Sequence, residues 1–370
     1  MSQNQIRWGI LGAANIARKN WKAIANTGNG VVTAVASRNI ENTRRFIQEC
    51  QSEAPMPVEP RSLDRYEDVL AASDVDAVYI PLPTGVRKEW VIRAAEAGKH
   101  VVCEKPCAPT LEDLRVMTDA CRHNGVQFMD GVMFVHSTRL DAIRLLLDDA
   151  KTVGQLNRID SAFTFCGDEG FAGANIRMNS VLEPLGCLGD LGWYCIRLAL
   201  WAMKWQMPVQ VSGLLLAEAG RPDSPTPVPT VLSGELVFEN GVTSGFYCSF
   251  VTGFQQWAHL SGPQGSVNLS DFVLPFSGNT LAIEVQNAVF KANGCDFSMT
   301  SNQQQLLVQE SSHGQADSQE TNLFRNFATQ VLSGKLNDAW PEFALKTQAV
   351  VNACLESARN GGRAVKLQDW

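Results

Sequence analysis

Ile6-Arg7-Trp8-Gly9-Ile10-Leu11-Gly12-Ala13-Ala14-Asn15-Ile16-Ala17 reads as a buried strand, a tight turn and the start of an amphipathic helix. Gly12, Ala14 and Ala17 take the three spaced small positions of the dinucleotide fingerprint, which serve the turn, the close approach of backbone to a pyrophosphate, and helix–strand packing. The middle position carries alanine rather than glycine. Its methyl group sets the pyrophosphate slightly further out, where the amides at the helix start, around Asn15 and Ile16, and the helix dipole would hold it.

The next apolar run, Val31 to Ala36, supplies a second strand at the expected distance and ends in Ser37-Arg38. A carboxylate there would accept hydrogen bonds from a free ribose 2′-hydroxyl and repel a 2′-phosphate. A hydroxyl followed by a guanidinium instead offers a donor and a charge-assisted phosphate contact, so NADP(H) is favoured, with NAD(H) still possible.

Two further stretches point to chemistry. Glu104-Lys105-Pro106 follows the buried run His100-Val101-Val102-Cys103. In an open α/β sheet ligands bind outside the carboxyl ends of the strands, so this tripeptide is aimed at a crevice. Later, Leu188-Gly189-Asp190-Leu191-Gly192-Trp193-Tyr194 leads into the apolar helical stretch Cys195 to Trp201. On a helix Asp190 and Tyr194 are one turn apart on one face and can act on a single molecule.

Strands and helices alternate up to about residue 130, with Ala77-Val78-Tyr79-Ile80 and Val126-Gln127-Phe128-Met129 as buried parallel strands. Thr110 and Asp113 form a capping-box pattern ahead of an apolar helical face at Leu114, Met117, Ala120 and Cys121. From about Arg158 strands predominate, and Val231–Phe238 and Val242–Phe250 flank the hairpin signal Glu239-Asn240-Gly241. Glu320 to Leu332 and Pro341 to Arg359 read as closing helices. The expected fold is α/β: a doubly wound parallel sheet of Rossmann type over residues 1–130, then an α+β domain over 131–370 with a large, mostly antiparallel open sheet.

Together these features resemble the Gfo/Idh/MocA oxidoreductase family, whose marks are an amino-terminal nucleotide fold, a Glu-Lys-Pro tripeptide and a later Asp-containing helix. Tyr194, the stretch Met129 to His136 and the Gly-Asp-Leu-Gly-Trp-Tyr run resemble its dihydrodiol and xylose 1-dehydrogenase branch. The resemblance implies Lys105 and Tyr194 as catalytic residues, Asp190 as their acidic partner, and a cis Lys105–Pro106 bond. It places Glu104, Lys105 and the loop Leu82, Pro83, Thr84 and Arg87 beside the cofactor. Relatives commonly carry Asn where this chain has Thr84, His where it has Arg87, and Trp where it has Phe134. Phe134, His136, Phe165, Arg177 and Trp257 are the expected substrate-pocket residues.

The implied reaction is hydride transfer between nicotinamide and a hydroxyl- or carbonyl-bearing carbon of a sugar, polyol or cyclic diol. Tyr194 would be the acid/base and Lys105 its partner, favouring phenolate, while burial and the oxidised cofactor favour neutral lysine; the reverse assignment of the proton stays open. The same resemblance admits a non-catalytic nucleotide-binding sensor and a nicotinamide-assisted glycoside hydrolase.

Composition agrees with an enzyme of this kind. The 370 residues suffice for two domains, and 45% are hydrophobic. A net charge of −7 argues against nucleic acid or anionic membranes as partners. No apolar run is long enough to span a bilayer and the amino terminus lacks a signal-peptide pattern, so a cytoplasmic location is expected. The ten cysteines follow no disulfide framework and form no zinc pattern with the five histidines, which reads as reduced packing residues and no metal. Leu214, Leu216, Leu236, Phe238, Phe246 and Phe250 are large apolar side chains that two helical layers would struggle to cover, implying a dimer or tetramer through that sheet.

Overall fold

The computed structural model describes residues 5–367. The first half alternates β1 (Ile6–Leu11), α1 (Asn15–Ala25), β2 (Gly30–Ala36), α2 (Ile40–Glu53), β3 (Arg61–Leu63), α3 (Tyr66–Leu70), β4 (Ala77–Ile80), α4 (Thr84–Glu96), β5 (His100–Cys103), α5 (Leu111–His123) and β6 (Phe128–Asp130). The six strands form one parallel sheet in the order β3-β2-β1-β4-β5-β6. Every residue of β4 is buried, as a parallel strand covered by helices on both faces requires. The chain order reverses between β1 and β4, which opens the crevice at their carboxyl ends.

A 3₁₀ turn at Met133–His136 leads to α6 (Arg139–Asp148), β7 (Arg158–Cys166), a short α7 (Phe171–Ala174), and a π-helical turn, Leu188–Gly192, that runs into α8 (Trp193–Ala202). Then come β8 (Gln210–Ala219), β9 (Val228–Val237), β10 (Thr243–Ser249), β11 (Val251–Gly262), β12 (Gly265–Leu269), β13 (Thr280–Asn293), β14 (Asp296–Gln309), α9 (Gln319–Leu332), α10 (Ala339–Arg359) and β15 (Val365–Lys366). Nine strands make the second sheet, β14-β13-β12-β11-β7-β10-β9-β8-β15. All its pairs are antiparallel except β7 with β10. The expected hairpin is present, with Thr243 opposite Val237.

Helices α8 and α10 cover one face of this sheet. Helix α10 comes so close to β8 that a Cβ at Gly213 would lie 2.3 Å from the Cys354 carbonyl oxygen. Helix α9 returns to the first sheet, where the Phe324 and Phe327 rings each lie 5.3 Å from Trp8.

The expectation about uncovered apolar side chains needs correction. Leu236, Phe238, Phe246 and Phe250 are all buried, because the helical layer does reach them. Leu214 and Leu216 are exposed, and they are joined by Phe290, Phe297, Met299 and Leu307 on the β13–β14 hairpin, which the sequence did not single out. All ten cysteines are free, eight of them buried. Among the described residues no helix is long and apolar enough to cross a membrane, and no cluster of His, Cys, Asp and Glu could hold a metal.

Candidate active site

The crevice begins at Gly12, which has φ +121 and packs so that an added Cβ would sit 3.1 Å from Leu82 Cδ2. Only glycine takes that conformation without strain. Ala14 caps α1 without offering a side-chain acceptor, and no acidic residue stands in the first turn. The helix start at Asn15 and Ile16 therefore suits an external anion such as a pyrophosphate. At the end of β2 the Ser37 hydroxyl donates to the Asn39 carbonyl at 2.8 Å and sits 2.8 Å from Thr43 Oγ1. Its hydroxyl thus has partners at the start of α2. Arg38 is exposed beside it.

Three other members of the expected cofactor set make hydrogen bonds within the protein. Thr84 is fully buried, and its hydroxyl donates to Glu183. Arg87, also buried, donates to the carbonyls of Leu82, Glu104 (2.9 Å) and Pro106. Its guanidinium is a brace between the loops after β4 and β5, so it does not face the crevice. Glu104 is likewise buried: Oε1 accepts from Tyr79 Oη at 2.6 Å and Asn20 Nδ2 at 3.4 Å, and Oε2 from the Lys105 amide at 3.2 Å. Buried carbonyls that need donors fix Arg87, and the donors Tyr79, Asn20 and the Lys105 amide fix Glu104. Leu82 packs on Gly12, and Pro83 caps α4.

The Lys105–Pro106 bond is cis. Lys105 Nζ donates to Asp190 Oδ1 and to the Asp190 carbonyl, both at 2.9 Å, and lies 4.8 Å from the centre of the Tyr194 ring. Arg177 Nε donates to the other Asp190 oxygen at 2.7 Å. The π-helical turn at 188–192 and the first turn of α8 carry Asp190 and Tyr194 to this point together. Lys105, Asp190, Tyr194 and Arg177, read from separate stretches of sequence, thus form one cluster.

Burial would raise the Asp190 carboxyl, but Arg177 and Lys105 outweigh it and hold the group well below the usual carboxylate range. Burial alone would lower Lys105; Asp190 and Tyr194 reverse this and keep it an ammonium. Tyr194 is pushed up to about 12, chiefly by burial, against the pull of Lys105. The protein by itself therefore holds a neutral phenol beside a cation, an arrangement ready to give a proton rather than take one.

Phe134 is buried with its ring 6.1 Å from Tyr194. The other aromatic neighbour of Tyr194 is Phe163, at 5.5 Å, with Phe254 6.4 Å beyond it. Neither was expected. The alternation of β7 puts Phe163 on the same face as Phe165, and that period was the available signal. Phe165 stands one step along, packed on Phe250 at 5.2 Å and Phe171 at 5.4 Å.

Two expected pocket residues lie elsewhere. Trp257 pairs with Ala162, one residue out of phase with Phe163, so it is on the opposite, open face of the sheet. His136 leaves its turn away from Tyr194, packs against Trp340 at 6.4 Å, and takes a 3.2 Å hydrogen bond from Asn326 Nδ2. Burial and Arg197 push His136 down to about 4, so it is neutral at pH 7.

Residues 6–132 match the oxidoreductase family with an NAD-binding Rossmann fold, and residues 142–268 match the Gfo/Idh/MocA carboxy-terminal domain. The chain is 30% identical to dTDP-3,4-didehydro-2,6-dideoxy-α-D-glucose 3-reductase of Streptomyces violaceoruber, covering 76% of this chain and 77% of that one. It is 29% identical to D-xylose 1-dehydrogenase (NADP⁺) 2 of Haloferax volcanii, over 70% and 74%. A 3-ketoreductase from Actinomadura kijaniata, solved with NADP and TDP-benzene, superposes with a TM-score of 0.76 at 26% identity, over 97% and 98% of the two chains. With a Rossmann crevice, a lysine at its rim and both family regions in sequence, the chain belongs to the Gfo/Idh/MocA oxidoreductase family.

Proposed function

We propose that this oxidoreductase interconverts a hydroxyl and a carbonyl on a sugar, polyol or cyclic diol with NADP(H), residues 1–130 holding the cofactor and the remainder supplying the substrate site. The observation that carries the reading is the ammonium of Lys105, fixed by Asp190 under the Tyr194 ring. When bound, the nicotinamide supplies or takes up the hydride. Tyr194 gives its phenolic proton to the carbonyl oxygen during reduction and recovers it in the reverse direction. Lys105 stabilises charge developing on that oxygen and on the phenolate, an electrostatic contribution made strong by the dry, aromatic surroundings. Asp190 fixes the ammonium, while Phe134, Phe163 and Phe254 wall the substrate side. Arg177 binds Asp190 through Nε and remains 41% exposed, which leaves its outer nitrogens for substrate oxygens.

A nucleotide-linked keto-sugar is the second reading, favoured by the 3-reductase relative and by this outward guanidinium. The test is a panel of aldoses, polyols, cyclic diols, keto-sugars and thymidine-diphosphate sugars with both cofactors, followed by absorbance of reduced nicotinamide. Turnover with free sugars or diols supports the first reading, and turnover confined to diphosphate sugars the second. Tightly copurifying cofactor without net turnover would favour a hydrolase that oxidises its substrate transiently.

The exposed apolar face of the second sheet supports a homodimer or homotetramer formed through it, and ten free cysteines fit a reducing compartment such as the cytoplasm.

A further inference from the structure

Beyond edge strand β6, a cavity of about 490 Å³ opens between α8, α9, α10 and the Met133–His136 turn. Its size lies within the span of small-molecule sites, about 300–1,000 Å³. Trp201, Trp205, Trp340 and Phe343 form its walls. It shares no lining residue with the Lys105 cluster, yet the two have one wall in common. From the same turn Phe134 packs against Tyr194, while Val135 and His136 face the cavity.

The floor of the cavity carries charge, but none is free for a ligand. Arg197 and Asp130 are both almost completely buried and pair with each other, and Arg197 Nε donates to Thr347 Oγ1 at 2.7 Å. What remains for a ligand is neutral. Asn326 uses Nδ2 on His136, and Gln330 uses Nε2 on the Lys335 carbonyl, so both amide oxygens stay outside those bonds. Asn326 lies at the solvent-exposed rim.

The aromatic wall is also held in an unusual way. Lys204 and Trp205 are consecutive residues in the left-handed region, at φ 52 and φ 64, which bulky L residues rarely adopt. That backbone sets the Trp205 ring flat on Phe343, with centroids 3.5 Å apart and planes within 7°, and the Arg197 guanidinium lies 5.6 Å from the ring centre, so Trp205 is a packed wall. Aromatic faces carry partial negative charge and meet the C–H side of a pyranose well, while neutral amides suit its hydroxyls. A charged ligand would find no opposite partner here.

We propose that this cavity is a second ligand site, distinct from the hydride-transfer cleft, and that it takes a neutral carbohydrate laid against Trp201 and Trp340, with its hydroxyls on Asn326 and Gln330. The experiment is a titration of intrinsic tryptophan fluorescence of the full chain with D-glucose, D-xylose and maltose. It is run on the unmodified protein, on Gln330→Phe, which fills the cavity from a partly exposed helix position, on Trp340→Ala, and on Arg177→Ala, which alters only the cleft. Thermal midpoints of each variant confirm folding, and Gln330→Phe keeps the test informative should Trp340→Ala unfold.

The expected result is a saturable change with at least one sugar, weakened about tenfold or more by the cavity substitutions and kept by Arg177→Ala. No saturable change with any of the three overturns the proposal. So does a change that Arg177→Ala removes and Gln330→Phe leaves intact, because sugar would then bind in the catalytic cleft alone.

Discussion

Lys105 and Asp190, 85 residues apart in sequence, meet with Nζ 2.9 Å from both the side-chain and main-chain oxygens of Asp190. One carboxylate oxygen holds this ammonium and the other holds Arg177, so Asp190 joins the end of a parallel strand to a helix of the second half. Removing its charge would leave two cations facing each other with little water to separate them.

Asp190→Asn is therefore expected to cost about 3–5 kcal/mol of stability, the usual loss on breaking a buried pair. The folded-state pKa of Asp190 is depressed, so its contribution is complete above the ordinary carboxylate pKa of about 4 and is lost as pH falls further. Denaturation midpoints measured between neutrality and pH 3 should show wild type losing stability toward acid more steeply than Asp190→Asn. Parallel curves would show that the carboxylate is not the linked group.

The same variant removes the principal influence that raises Lys105. Any alkaline limb of the rate profile that reports lysine deprotonation should then move to lower pH. A limb unmoved by Asp190→Asn would assign it to another group.

Tyr194→Phe is expected to reduce kcat by about 10²–10⁴ with NADP(H) affinity nearly unchanged, since the phenolic oxygen matters only when a proton moves. Lys105→Met should lose comparable activity and also leave one Asp190 oxygen without its ammonium, with Arg177 still on the other, lowering the thermal midpoint. Retention of more than about a tenth of kcat by Tyr194→Phe, a barrier change under about 1.4 kcal/mol, would pass the proton role to Lys105.

Arg38→Asp should reverse a preference for NADP(H) over NAD(H), because losing a charge-assisted contact costs about 1.5–3 kcal/mol, or about tenfold in affinity per 1.4 kcal/mol. Ser37→Ala should alter the preference far less, since its hydroxyl proton already serves Asn39. Direct binding titrations of both cofactors decide this, and equal affinities in the unmodified protein would sink the assignment.

Arg87→Leu separates brace from ligand. The carbonyls of Leu82, Glu104 and Pro106 lose their guanidinium donor, so a stability loss of about 2–5 kcal/mol is expected by thermal unfolding. A cofactor affinity that collapsed while the thermal midpoint stayed put would return Arg87 to the nucleotide.

Features that depend on neighbours in the chain were legible from the amino-acid order alone. The strand–turn–helix at Ile6–Ala25 is set by the period of its apolar residues and by Gly12. The hairpin around Asn240-Gly241 and the two final helices are legible for the same reason: turn chemistry and helical spacing act within a few residues. Lys105, Asp190 and Tyr194 could be singled out because short motifs carry them.

Where side chains in similar local sequence would point depended on long-range packing. Thr84 and Arg87, in the first turn of α4, and Glu104, after β5, turn inward, drawn by the Glu183 carboxylate, by buried carbonyls and by the Tyr79 hydroxyl. Trp257 and Phe163 differ by strand register, since one step along a strand reverses the face, and His136 and Phe134 by the direction in which each leaves one tight turn. The protonation of Tyr194 belongs to the same class. Burial outweighs the nearby lysine, and burial arises only when Phe134, Phe163 and α8 close around the ring, a balance of long-range packing that no local pattern encodes.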